Sequence, residues 1–174
     1  MIIWINGAFG AGKTETALEL NSRLKKSFIY DPENLGEFIN KNIPNNMKKG
    51  DFQDYLLWRE INVKIIKDIY DKYNGTIMIP MTIVNKKYYD EVIEKLRKDG
   101  ISVNHFTLIV TKDILIKRLK SRGEDENSWP AKQIERCNKG LIDDTFENKI
   151  YSSRMTIEEV VVEIADKCNL ELLQ

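Results

Sequence analysis

The sequence predicts an α/β fold: a three-layer α/β/α sandwich around a parallel five-stranded sheet. Two observations predict it. Short β-branched runs alternate with longer amphipathic stretches, as in successive βαβ units. The first apolar run, "MIIWI", leads directly into a glycine-rich turn, "NGAFGAGKT" (Asn6 to Thr14), which in turn opens a helical pattern.

The elements follow in order. Ile2 to Ile5 is the first strand, and Lys13 to Lys25 is a helix with Ala17, Leu20 and Leu24 on one face and no internal Gly or Pro. The run "SFIY" is a second strand that delivers Asp31, Pro32 and Glu33 to its end. Asn34 to Ile43 is a short helix closed by Pro44, and the polar "NNMKKGD" is a loop. Gln53 to Tyr73 is the longest helical stretch, with Leu57, Ile61, Ile65, Ile69 and Tyr73 recurring every fourth residue until Gly75 stops it. "TIMIP" is the third strand, "KKYYDEVIEKLRKDG" a helix with Gly100 past its end, and "VNHFTLIV" the fourth strand. "KDILIKRLKSR" is a helix running into the polar "GEDENSW". A further helix lies near Ala131 to Asn138, "KIYSS" is the fifth strand, and "TIEEVVVEIADKC" is a final helix with Thr156 and Glu159 at capping-box spacing.

A chain of 174 residues suits one domain with a substantial core, residues 1–174 as a unit. Lys plus Arg and Asp plus Glu are both 27, and the isoelectric point is near 6.6, so no net field draws the protein to nucleic acid or anionic lipid. The two cysteines, Cys137 and Cys168, fall in separate helices without metal or redox spacing and read as reduced thiols. The first residues lack a basic leader and form a strand's length of apolar chain, and "LELLQ" at the end offers no basic amphipathic tail. A cytoplasmic protein with no stable membrane association and no nucleic-acid partner is the expectation.

Gly7-Ala8-Phe9-Gly10-Ala11-Gly12-Lys13-Thr14 fits G-x-x-x-x-G-K-[ST], the phosphate-binding P-loop. Placed between a strand and a helix, it aims consecutive N–H groups and the positive helix end at an anion. Lys13 adds a mobile charge for the β- and γ-phosphates, and the Thr14 hydroxyl is a Mg²⁺ ligand. ATP and Mg²⁺ are thus the expected cofactors.

Asp31 ends the second strand at the carboxyl edge, where an open sheet binds ligands. It suits proton acceptance from a substrate hydroxyl, orientation of a Mg²⁺-bound water, or both, while Glu33 beside it is a second candidate. The alternative is a turn and helix cap. Trp58 and Arg59 in "LLWRE" suit an apolar wall and an anion anchor, or else a half-buried pair of surface type. Arg118 and Arg122 in "KRLKSR" lie four apart on one helix face, in reach of bound ATP or as an ordinary solvated face. Arg136 in "IERC" is a third basic candidate. His105, the one histidine, lies within a strand and reads as structural, which leaves neither a zinc site nor a Ser-His-Asp triad. The third strand ends "MIPMT", without the Asp with which switch and motor proteins complete a Mg²⁺ shell.

Taken together these pieces resemble the nucleoside-monophosphate-kinase-like group of P-loop proteins, which includes shikimate kinase. The runs "IIWINGAFGAGKT", "YDPE", "DFQDYLLWR", "IPMTIV", "HFTL" and "NSWPAKQIERC" resemble, over nearly the whole chain, the tunicamycin-resistance protein family. The resemblance implies ATP binding coupled to resistance against tunicamycin, a nucleoside antibiotic that mimics a UDP-amino-sugar. By likeness to the kinases it also implies roles: Asp31 as the acid that activates an acceptor hydroxyl, Arg59 as substrate anchor, Arg118 as the adenine-stacking arginine, Arg122 as a lid arginine on the phosphates, and a lid over about 123–136. Three functions stay open at this level: a small-molecule phosphotransferase acting on a hydroxyl, a protein that sequesters a drug under an ATP-closed lid, and a metabolic kinase for nucleotides or sugar acids.

Overall fold

The computed structural model describes residues 1–173. Five strands, β1 (Ile2–Gly7), β2 (Ser27–Ile29), β3 (Thr76–Pro80), β4 (Val103–Ile109) and β5 (Lys149–Tyr151), form one parallel sheet in the order β2-β3-β1-β4-β5. In the central β1, every residue is buried, as expected of a parallel strand covered on both faces by crossover helices. Ile2 registers with Ile77 on one side and Val103 on the other, so all carboxyl ends gather at one edge.

The helices are α1 (Lys13–Arg23), α2 (Glu33–Lys41), α3 (Leu56–Lys72), α4 (Lys86–Tyr89), α5 (Lys95–Lys98), α6 (Lys112–Ser121), α7 (Trp129–Leu141) and α8 (Ile157–Cys168). A π turn, Asp90–Glu94, joins α4 to α5 within what the sequence reads as one helix. Among the described residues no helix is long and apolar enough to cross a membrane. The expected capping box is present: Thr156 Oγ1 accepts from the Glu159 N–H, and Glu159 Oε2 accepts from the Thr156 N–H.

Two local expectations change. In α3 the most deeply buried positions are Trp58, Arg59, Asn62, Val63 and Ile66, while Leu57 is exposed. A four-residue repeat drifts around a helix of 3.6 residues per turn, and here the polar Arg59 and Asn62 enter the interior because each finds partners there. Asn62 accepts from the Tyr30 hydroxyl at 2.6 Å and donates to the Trp58 carbonyl at 2.9 Å. The helix expected from Ala131 begins earlier, at Trp129, because Ser128 caps it by accepting from the Ala131 N–H and Pro130 sits in the first turn, where no N–H is needed. The back half of the 123–136 segment is thereby helical.

Candidate functional site

The strand-to-helix junction makes an anion cradle. Gly10 and Gly12 take φ of 82° and 98°, the left-handed region that glycine enters without strain. A Cβ on Gly12 would lie 3.1 Å from the Ile157 side chain. No side chain caps α1, so the first N–H groups of the helix are left for a ligand. Lys13 is part-buried, and its ammonium has one protein acceptor, the Ala8 carbonyl at 3.1 Å. Desolvation draws it down to about 8 from its ordinary 10.5, opposed first by the negative charge of Glu33. A cation with spare donors and a penalty for its own charge is suited to a phosphate chain. Thr14 is exposed at the same lip.

The residues present therefore fit a Mg²⁺-nucleotide: the loop N–H groups and Lys13 would hold phosphates, and Thr14 would offer one oxygen to the metal. Among the described residues no group of three His, Cys, Asp or Glu side chains is placed to hold a metal without those phosphates.

At the end of β2, one oxygen of Asp31 accepts from the Glu33 N–H at 2.9 Å, which turns the chain into α2. The turn weighed from the sequence is thus realised, while the N-cap position of α2 itself is Pro32, with no side-chain cap bond; one Asp31 oxygen is used by the turn. Glu33 is raised by desolvation and then by Asp31, with Lys13 acting against both.

Trp58 does not form an exposed wall. It has 0% accessibility, its indole donates to the Pro32 carbonyl at 3.0 Å, and its ring packs on Phe52. It supports the Asp31-Pro32-Glu33 turn from beneath. Nor is Arg59 an open anchor: it is 5% accessible, donates from Nε to Glu91 and from Nη1 to the Gln53 carbonyl, and lies 4.3 Å over the Tyr88 ring. Sequence separation of 32 residues hides the Glu91 partner from any local pattern.

The basic face of α6 reaches the loop. Arg118 Nη1 donates to the Gly10 and Ala11 carbonyls, each at 3.3 Å, and Arg122 pairs with Glu15 in the first turn of α1. From α7, Trp129 packs edge-on against Phe9 with centroids 5.1 Å apart, and Arg136 reaches Asp51 at 3.3 Å. The 123–136 segment therefore touches both the phosphate loop and the loop that follows α2.

Several supporting residues escape sequence reasoning. Asn6 is wholly buried; its Oδ1 accepts from the N–H groups of Gly7 (2.8 Å) and Ile83 (2.9 Å), and its Nδ2 donates to the Ile83 carbonyl (2.7 Å). Thr82 donates to the Gly7 carbonyl at 2.7 Å, and Gln53 donates to the Thr82 carbonyl at 2.9 Å. Asp51 accepts from the Gln53 N–H at 3.0 Å. The run "IPMTIV" is thus the brace of the phosphate loop, and where a carboxylate would stand in switch proteins, the Thr82 hydroxyl is already engaged. The sequence reading ends the first strand at Ile5 and begins the turn at Asn6, whereas β1 runs on to Gly7 and takes Asn6 into the sheet.

His105 is structural, as expected from its strand. It is buried against Tyr89 and Phe146, its Nε2 lies 3.3 Å from Asn6 Nδ2, and desolvation lowers it to about 3. Cys137 and Cys168 are free and buried, with thiols raised by desolvation.

Sheet order, loop and helix placement define the class: the fold is that of the P-loop kinases, α/β with helices on both faces of a parallel sheet. Within it, the chain is similar over nearly its whole length to the tunicamycin resistance protein of Deinococcus radiodurans, at 29% identity, 99% and 98% coverage of the two chains, and a TM-score of 0.86. Shikimate kinase from Bacteroides thetaiotaomicron (19% identity, 98% and 99% coverage, TM-score 0.62) and deoxyadenosine kinase from M. mycoides (19%, 97% and 99%, 0.59) share the fold. No protein-family model matches the sequence, and a search of curated proteins finds no match.

Proposed function

We propose that the protein is a single-domain ATP-dependent phosphotransferase acting on a hydroxyl of a small molecule, tunicamycin or a related nucleoside or amino-sugar antibiotic, and that it confers resistance by this modification. The observation that carries the reading is the pairing of an under-coordinated phosphate-loop Lys13 with an acid-bearing turn whose Glu33 is the charge most strongly opposing the loss of its proton. Likeness to a tunicamycin resistance protein and to kinases supports it.

In this reading Asp31 accepts the proton of the acceptor hydroxyl. The hydroxyl oxygen bonds to the terminal phosphorus as the bond to the bridging oxygen breaks, and ADP leaves with that electron pair. Lys13 and Arg122 would balance the charge on the phosphoryl oxygens, Thr14 would offer its oxygen to Mg²⁺, and Arg118, on the Gly10 and Ala11 carbonyls, would be the arginine available to the adenine. Glu33 meets the acceptor, and Trp58 and Arg59 position the acid turn and the α3 entry instead of touching the acceptor. The 123–136 segment acts as the lid.

Mass spectrometry of the antibiotic incubated with protein, Mg²⁺ and ATP tests this: a product heavier by one phosphoryl group is expected. Asp31→Asn should abolish turnover with ATP binding retained. If Glu33→Gln abolishes it and Asp31→Asn does not, the base is Glu33. A second reading, ATP-gated sequestration, is favoured by the absence of a carboxylate at the end of β3, where Pro80, Met81 and Thr82 stand. Protected cells that yield only unmodified antibiotic would establish it.

A further inference from the structure

Arg118 and Arg122 both reach from the end of α6 to the phosphate loop and the start of α1, but they are held in different ways. Arg118 is part-buried and tied to backbone, on the Gly10 and Ala11 carbonyls. The Arg122 side chain is 46% accessible, and its one hydrogen bond among the described residues runs from Nη2 to Glu15, whose side chain is 43% accessible. The backbone beneath Arg122 is fixed. Gly123, at φ 83°, closes α6 with its N–H on the Lys120 carbonyl at 3.0 Å, and the Glu124 N–H bonds the Leu119 carbonyl at 3.1 Å. Only the side chain needs to turn for the guanidinium to change partner. Glu15, in the first turn of α1, carries negative charge to the helix end that attracts anions, yet no side chain caps that helix. Both partners act on Lys13, whose ammonium, lowered first by desolvation, is raised by Glu15 and lowered by Arg122. The carboxylate therefore occupies the arginine without occupying the phosphate cradle.

We propose, resting on the reading of Arg122 as a phosphate-contacting arginine, that Glu15 is an internal stand-in for the terminal phosphate of ATP. It parks Arg122 beside the loop in the free protein and yields it when a triphosphate settles, so this one carboxylate tunes the preference for ATP over ADP. The magnitudes agree with an exchange. An ion pair as exposed as Arg122 with Glu15 is worth at most about fivefold in an equilibrium constant. A terminal phosphate offers more charge and a bidentate edge, the geometry that a guanidinium fork fits. ATP thus draws Arg122 away, and its affinity is lowered only by the strength of the parked pair. Glu15, nearly half exposed, is rehydrated as it lets go. ADP, ending one phosphate short, leaves the arginine on Glu15 and meets no such cost.

Isothermal calorimetry in Mg²⁺, with the non-hydrolysable β,γ-imido analogue of ATP and with ADP, tests the exchange without turnover. Glu15→Gln should raise affinity for the triphosphate analogue about two- to fivefold and leave ADP affinity unchanged, which also shows that the loop is intact. Glu15→Ala should repeat the selective gain. Arg122→Gln should weaken binding of the analogue, and in that background Glu15→Gln should bring no gain. A rise of equal size for ADP, or one that survives in Arg122→Gln, makes Glu15 a source of general repulsion and overturns the proposal. An unchanged or lower affinity for the analogue in Glu15→Gln overturns it as well. Phosphorylation of an acceptor is assayed separately. A triphosphate-selective gain without any phosphorylated product removes the phosphotransfer reading and leaves the exchange standing, whereas turnover without such a gain does the reverse. Native protein that binds neither nucleotide ends both.

Discussion

The carboxamide of Asn6 pairs with the backbone of Ile83 as a third strand residue would, accepting from its N–H at 2.9 Å and donating to its carbonyl at 2.7 Å. It also holds the Gly7 N–H, so one side chain ties the entrance of the phosphate loop to the segment after β3. Asn6→Ala leaves these buried groups without partners. A loss of about 2–4 kcal/mol is expected, read as a fall in Tm of roughly 5–15 °C for a chain of this size. Nucleotide affinity should fall with it, because Gly7 loses its anchor. Thermal unfolding with and without Mg²⁺-ATP measures both.

Lys13 makes nucleotide binding proton-linked. Its ammonium sits near 8 in the free protein, and bound phosphates restore it toward its ordinary value, so binding at pH 8 takes up roughly half a proton and binding at pH 6.5 almost none. Calorimetry in buffers of different ionisation enthalpy reads this uptake directly, and Lys13→Met should abolish it. The same shift sets the sign for stability of the free protein: the folded value lies below the unfolded 10.5, the unfolded chain holds more protons between about 8 and 10.5, and this contribution to stability rises with pH across that window.

His105 governs an acid limb. Folded, it is held neutral down to about 3 by desolvation; unfolded, it takes a proton near 6.5. Its contribution is complete above pH 6.5 and is lost as pH falls toward 3, amounting to about 3 kcal/mol by pH 4.5. His105→Gln, which keeps an acceptor for Asn6, should show a shallower acid limb in urea titrations run from pH 7 to pH 4.

Trp58 supports the acid turn through the Pro32 carbonyl, which Trp58→Phe leaves unpaired in the interior. The expected cost is about 1–2 kcal/mol. If the turn positions the base, turnover should drop at least tenfold with ATP affinity changed less than twofold. Equal losses in both would assign Trp58 to packing alone.

Much of this architecture is legible in the sequence because its signals are local. The glycine spacing before Lys13, the β-branched "TIMIP" that became Thr76–Pro80, and the Thr156–Glu159 box act through near neighbours. The strand-end position of Asp31 is legible for the same reason. What is hidden depends on topology. Arg59 reads as an available cation until α3 packs beside the helix that carries Glu91, and Asn6 reads as the start of a turn until β3 is laid against β1. Asp51 reads as one more polar loop residue until α7 brings Arg136 to it. The π turn at Asp90–Glu94 also lacks a local marker, because the residues there are ordinary helix formers.

The three tryptophans are placed very unevenly. Trp4 and Trp58 are sealed from water, whereas Trp129 stands nearly half exposed with its edge on Phe9 of the phosphate loop. The protein therefore carries its own optical gauge: quenchers in solution reach one indole alone, and that indole touches the loop on which a nucleotide would settle. Stopped-flow fluorescence of the native chain, with no dye attached, tests whether α7 shifts against the phosphate loop when Mg²⁺-ATP is added.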